Sequence, residues 1–422
     1  MRSEARELEI VRLGAHGDGV AETAAGPVFV PRTLPGERIR AEIEGSHARL
    51  LEVLAASPDR VAAPCRHFGT CGGCVAQHMA ERVYRDWKRE MVATAFGHRG
   101  LKVDLDDMVA IAPATRRRVA LGAEKHAGHT MLGFREEGTH TLVDIDACPV
   151  MVPAISIALS GLRAIADAAV PEGGALRVTV TAVQGGLDVA LDGTDDALSS
   201  RSIDAKALDA RARARIAQLA AAVGALRVTA GGHLVIQSAA PKLTLGGADV
   251  ILPPASFVQA TAEAEAAIGV MLAEATRKAK RIADLFCGAG AFTFLLARRA
   301  RVTAFDGDRP AIEALAQAAR GAMGTKPIET RVRDLFAEPL SRTELDGFDA
   351  VVFDPPRAGA KAQAEMIARS KVPVVCAVSC NPATLARDCR ILVDGGYRIE
   401  RVVPVDQFVW SPHVEAVAVL RR

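Results

Sequence analysis

The chain has 422 residues, half of them apolar and 24% charged, which provides for more than one packed domain and excludes the disordered classes. Lys+Arg (52) and Asp+Glu (50) nearly cancel, so net charge by itself points to no nucleic-acid partner. The N-terminal residues lack the basic-then-apolar pattern of a signal peptide, and no apolar run approaches the ~18 residues of a membrane span. A cytoplasmic protein without a membrane partner is expected, its eight cysteines serving as metal-binding, catalytic or buried thiols rather than as disulfides.

Residues 1–60 read as short strands broken by Gly and Pro (8–13, 27–30 and 38–43), the pattern of a small β-barrel. Residues 61–74 are rich in Cys and Gly and open a central α+β region that extends to 254. It is expected to contain strands at 175–180 and 187–191 and an Ala/Arg-rich helix over 204–223. Within it, residues 81–135 hold eleven Lys/Arg against seven Asp/Glu, including Arg116-Arg117-Arg118, a stretch able to carry phosphate contacts that net charge hides. Pro253-Pro254 marks a boundary. From 255 to 422 apolar strands alternate with helices in βαβ rhythm, predicting an α/β, doubly wound Rossmann-like domain.

The C-terminal region carries the chemistry. Ile282-Ala-Asp-Leu-Phe286-Cys-Gly288-Ala-Gly290 is a strand running into a glycine-rich turn and a helix, a geometry that lets backbone approach a ligand closely. The next strand ends in Asp306, about twenty residues on, where an acid can accept the ribose hydroxyls of an adenosine. Thr293 occupies the third glycine position of the dinucleotide fingerprint. The Asp-Leu-Phe-Cys-Gly-x-Gly pattern instead resembles motif I of the S-adenosylmethionine-dependent methyltransferases, with Asp334 and Asp354 ending further strands.

Two apolar runs, 350–353 and 374–378, deliver Asp354-Pro-Pro-Arg357 and Ser379-Cys380-Asn381-Pro382 to the carboxyl edge of the sheet, where ligands collect. Cys376 falls inside a strand, Cys389 on the following helix and Cys287 in the cofactor turn. Cys380 alone stands at a strand-to-helix junction, where helix amides are expected to lower a thiol pKa, so it is the candidate nucleophile. A thiolate beside a methyl donor suits carbon 5 of a pyrimidine, which becomes nucleophilic once the thiolate has added at carbon 6. A base must then remove the carbon 5 proton. Glu415 is the candidate base and His413 its rival.

The motifs DLFCGAG, DPPRAGA, SCNPATLARD and HVEAV, in that order, resemble the RNA uracil-5-methyltransferases across nearly the whole chain. The resemblance implies Cys380 as nucleophile and Glu415 as base, with Gln259, Phe286, Gly288, Asp306, Asp334 and Asp354 holding S-adenosyl-L-methionine. Two departures stand out: Ala291 where the family often has Asn, and Val409 where a proline usually precedes the HVE motif. The N-terminal stretch resembles a TRAM domain, an OB-like RNA-binding barrel. Cys65, Cys71, Cys74 and Cys148 suit either zinc or an iron–sulfur cluster by spacing. The resemblance of CGGCVAQHM, followed by Tyr84 and Lys88, implies a [4Fe–4S] cluster and the branch acting on 23S rRNA, with no obligate protein partner. A transfer-RNA uridine-5 methyltransferase and a non-enzymatic iron–sulfur RNA-binding protein are the competing readings.

Overall fold

The computed structural model describes residues 5–193 and 208–422. The N-terminal unit is a six-stranded sheet in the order Ala5–Glu9, Arg38–Glu44, His47–Ala55, Gly26–Val30, Gly19–Thr23, Arg12–Leu13. It curls around Ile10, Val28, Val30, Ile39 and Ala41, the apolar half of each alternating strand, as expected of a small barrel. The strand expected at 8–13 is divided, because Ile10 leaves the ladder and donates its N–H to Glu37 O.

The central unit is a seven-stranded, mostly antiparallel sheet running from Leu142–Asp144 at one edge to His233–Gln237 at the other. Helices Pro153–Ala169 and Ala210–Ala222 pack against it around Leu159, Leu162, Val178 and Val189. The second helix begins later than its composition suggests. Asp209 caps it by accepting from Ala212 N, and the predicted turns over 204–207 lie outside the described residues.

The C-terminal sheet has eight strands in the order Ile328–Val332, Arg301–Asp306, Arg281–Leu285, Ala350–Phe353, Val374–Ser379, Glu415–Arg421, Arg398–Asp406, Val109–Ala110. The first five are mutually parallel, and Glu415–Arg421 is antiparallel to both of its neighbours. Strand order reverses between Arg281–Leu285 and Ala350–Phe353, which opens a crevice at their carboxyl ends.

The outermost strand comes from the central region, not from beyond Pro254. Helix Glu81–Gly97 likewise buries Val92 and Phe96 in the core formed by Leu385, Tyr397 and Val402. The boundary read at Pro253-Pro254 therefore cuts across a packing unit. A two-residue strand and a helix with polar flanks give no local sign of which sheet they join.

Candidate active site

A single cavity of about 930 Å³ runs along the carboxyl edge of this sheet and out to the four N-terminal cysteines. Gln259, Phe286, Gly288, Asp306, Asp334, Asp354, Cys380 and Glu415 all line it.

At one end lies the glycine turn. Phe286 sits at φ +59°, Gly288 at +54° and Gly290 at +98°. A side chain at Gly290 would run into Leu315 and Phe294, so the tight return into the next helix requires glycine there. Gly288 N donates to Asp306 Oδ2 and Asp308 N to Asp306 Oδ1, both at 2.8 Å. The Asp306 carboxylate is thus oriented by backbone, with a lone pair on each oxygen left for a ligand's hydroxyls. Thr293 donates to the buried Asp284 at 2.6 Å, so the residue replacing the third glycine holds the motif's own acid. Burial raises the Asp284 carboxyl to about 7.

Asp334 is occupied differently. Its Oδ1 accepts from Phe336 N at 2.9 Å and Ala337 N at 3.2 Å, closing a turn that presents the exposed Phe336 ring 5.3 Å from that of Phe286. Phe336 was not singled out from sequence; an aromatic two residues after a strand-end acid was the available sign.

In the middle of the cavity, side-chain amides link the acids. Gln259 Nε2 donates to Asp354 Oδ2 at 2.6 Å. Gln407 Nε2 donates to Gln259 Oε1 at 2.9 Å and to Glu415 Oε2 at 2.6 Å, while its own Oε1 accepts from Ala260 N at 3.2 Å. Both amides have one consistent orientation, since turning Gln407 over would set its oxygen against two acceptors. Among the described residues, Glu415 Oε1, buried, has no hydrogen-bond partner. One carboxylate oxygen is held and the other is available to receive a proton. Burial and the neighbouring Asp354 push the Glu415 carboxyl well above its ordinary range, and burial brings Asp354 to about 7. Gln407 was missed in the sequence, because nothing local distinguishes it from any glutamine at a strand end.

Cys380 follows strand Val374–Ser379, half-buried, on the same cavity wall. Its thiol does not have the lowered pKa expected of a helix N-terminus. Burial, then the Glu415 and Asp354 carboxylates, push it up to about 12, against the opposing charge of Arg357. The helix Pro382–Asp394 gives little help: Pro382 has no N–H to offer, and the Ala383 N–H is taken by the Asn381 side chain. Positive charge brought close to Cys380 would favour its deprotonation. Cys287, Cys376 and Cys389 are buried and raised, as unreactive core thiols are.

His413 lies 3.4 Å from an Arg357 nitrogen, and burial with the charges of Arg357, Lys88 and Arg116 depresses it to about 4. A site that strongly disfavours imidazolium makes His413 a poor proton acceptor beside Glu415.

At the far end, Cys65, Cys71, Cys74 and Cys148 line the same cavity. Burial raises Cys71, Cys74 and Cys148, and their mutual charge adds to this; Cys74 reaches about 12. Among the described residues no group of three or more His, Cys, Asp or Glu side chains is placed to hold a metal ion. The basic stretch expected at 81–135 is largely consumed internally: Lys88 pairs with Asp406, Arg117 with Glu265, Lys125 with Asp167 and Arg135 with Glu124. Arg116 and Arg118 do line the cavity.

Parallel strands bring acids to one crevice around a glycine turn, the place where a doubly wound sheet binds its ligand. Residues 251–422 match the family described as tRNA (Uracil-5-)-methyltransferase. The likeness extends well beyond that segment. The chain is 46% identical over 423 residues to an RNA methyltransferase of Caulobacter vibrioides, covering 99% of this chain and 100% of that one. It is 34% identical over 431 residues to the 23S rRNA (uracil(1939)-C(5))-methyltransferase RlmD of Chromohalobacter salexigens, covering 98% and 89%. The crystal structure of Pyrococcus abyssi tRNA (uracil-54, C5)-methyltransferase with S-adenosyl-L-homocysteine superposes with a TM-score of 0.73 at 25% identity, over 98% and 99% of the two chains. This chain belongs to the RNA uracil-5-methyltransferases, enzymes that use S-adenosylmethionine to modify RNA. Among the described residues no helix is long and apolar enough to cross a membrane.

Proposed function

We propose that the enzyme methylates carbon 5 of one uridine in structured 23S rRNA, in the cytoplasm, through a covalent bond between Cys380 and carbon 6. The observation that carries this reading is the shared cavity. The one half-buried thiol of the C-terminal unit lies on the same wall as a carboxylate with one oxygen fixed and the other unpartnered. Bound S-adenosylmethionine supplies an electrophilic methyl group on a sulfonium centre. Gln259, Phe286, Gly288, Asp306, Asp334 and Asp354 would hold it. Cys380 would lose its proton to solvent and its sulfur add to carbon 6, so that carbon 5 gains enolate character and takes the methyl group, releasing S-adenosyl-L-homocysteine. Glu415 Oε1 then takes the carbon 5 proton, the double bond re-forms and the thiolate leaves.

The 34% identity to a 23S rRNA enzyme supports the ribosomal substrate, and the barrel would bind RNA in the manner of a TRAM domain. Transfer RNA is the second reading, favoured by the likeness to the Pyrococcus abyssi enzyme. Cys65, Cys71, Cys74 and Cys148 would hold a [4Fe–4S] cluster with a structural role. A zinc ion needs all its sulfurs about 2.3 Å from one point, whereas a four-iron cluster gives each thiolate its own iron and accepts a wider set. The four thiols stand at one end of the cavity, where such a cluster would sit.

RNA containing 5-fluorouridine tests the chemistry, because fluorine blocks the last proton removal. Wild type is expected to give a shifted protein–RNA band on denaturing gels, and Cys380→Ala none. A band that survives in Cys380→Ala overturns the mechanism, and sequencing the attached RNA decides between ribosomal and transfer RNA.

A further inference from the structure

Among the described residues one ammonium is fully buried, that of Lys88 on helix Glu81–Gly97. Its three protons have three acceptors: Asp406 Oδ1 at 2.8 Å, Phe408 O at 3.2 Å and His413 O. These acceptors stand at both ends of the connection 407–414 between strands Arg398–Asp406 and Glu415–Arg421. Tyr84, one turn earlier on the helix, donates its hydroxyl to the other oxygen of Asp406 and accepts from Trp410 N at 2.9 Å. Trp410 is held at φ +60°, a conformation costly for an aromatic residue, and its carbonyl accepts from Val75 N at 2.8 Å and Ala76 N at 3.1 Å. The connection is therefore tied at its start, its middle and its end by one helix and the segment before it.

Burying a lysine–aspartate pair is a poor way to gain stability, since well-packed apolar residues usually serve as well or better. What the pair does provide is location. Gln407, between the pinned Asp406 and Phe408, and Glu415, two residues past His413, are the donor and acceptor of the 2.6 Å bond that orients the carboxylate. None of the bonds made by Lys88 or Tyr84 reaches Cys380, which is carried by a different strand.

We propose that Lys88 is a positioning residue for the second half of the reaction: by closing the loop 407–414 it sets Glu415 where the carbon 5 proton will be, and it has no part in attack by Cys380. This rests on the reading of Glu415 as the base. Displacing a reacting group by about 1 Å can cost roughly 10²-fold in rate, so the fixing of this loop bears directly on turnover.

The variants are Lys88→Met, Tyr84→Phe and the doubly neutral Lys88→Met/Asp406→Asn, the last included because Lys88→Met alone leaves Asp406 buried and unpaired and can fail to fold. Three readouts are compared on the full-length protein: turnover on uridine RNA, covalent adduct with uridine RNA, and rate of trapping by 5-fluorouridine RNA. Turnover is expected to fall by roughly 10²-fold in the double variant and less in Tyr84→Phe. Adduct with ordinary RNA should accumulate, while the trapping rate, read at saturating S-adenosylmethionine, stays near wild type. Trapping that declines in step with turnover, or turnover that is unchanged, overturns the proposal. Failure of the base assignment itself would look different: Glu415→Gln would then turn over without accumulating adduct, whatever the Lys88 variants do.

Discussion

Replacing Gln407 by leucine removes the donor from a buried carboxylate while nearly preserving volume. In the native site Glu415 Oε2 accepts from Gln407 at 2.6 Å and Oε1 accepts from nothing. The substitution thus strands both oxygens of a buried acid. A hydrogen bond to a charged group is worth about 1.5–3 kcal/mol, which at 1.36 kcal/mol per pH unit is about one to two units of proton affinity. The sign follows from the site: burial and Asp354 raise the Glu415 pKa and the Gln407 bond lowers it, so losing that bond raises it further. Only the ionised carboxylate can take the carbon 5 proton. The acid limb of the kcat profile should therefore move to higher pH by about one to two units, with kcat at neutral pH falling roughly 10- to 100-fold. Because Gln407 also supports Gln259 at 2.9 Å, S-adenosylmethionine affinity should be titrated separately and the profile taken at saturation. A rate loss with the acid limb unmoved, or moved to lower pH, refutes this account of Gln407.

Two further outcomes test neighbouring parts of the site. Asp354 adds to the burial that holds the Cys380 thiol at about 12, so Asp354→Asn should speed alkylation of Cys380 by iodoacetamide at mildly alkaline pH, followed residue by residue by mass spectrometry; an unchanged rate counts against the electrostatic assignment. Gly288 and Gly290 both have positive φ, but only Gly290 is crowded. Gly290→Ala should lower the melting temperature by more than Gly288→Ala, whose methyl meets no protein atom and should cost the fold only the ~1–2 kcal/mol of a left-handed alanine. Equal effects would show that crowding against Leu315 is not what demands glycine.

The strand ends were legible because each is written in one short window. The apolar runs before Asp354 and Cys380 and the glycine turn after Leu285 are local patterns, and the sheet brings their ends into one cavity. The thiol's environment was read in the wrong direction, since a strand-to-helix junction in sequence does not reveal that Pro382 and Asn381 use up the first amides. Gln407 and Phe336 acquire their roles only from partners brought near by the fold. The same holds for Val109–Ala110, whose sheet cannot be guessed from two residues.

The pairing of Tyr84 with Asp406 spans 322 residues. A ribosome adding about 5–20 residues per second leaves on the order of tens of seconds between making the one and making the other. Through that interval the apolar side of helix Glu81–Gly97, with Val92 and Phe96, has no sheet to cover it, and Lys88 has no counter-ion. The catalytic domain cannot be completed before the hairpin carrying Asp406 emerges, nor excised afterwards at Pro254 without exposing the edge of Arg398–Asp406. During biosynthesis helix Glu81–Gly97 waits for a hairpin whose Asp406 is made 322 residues after Tyr84.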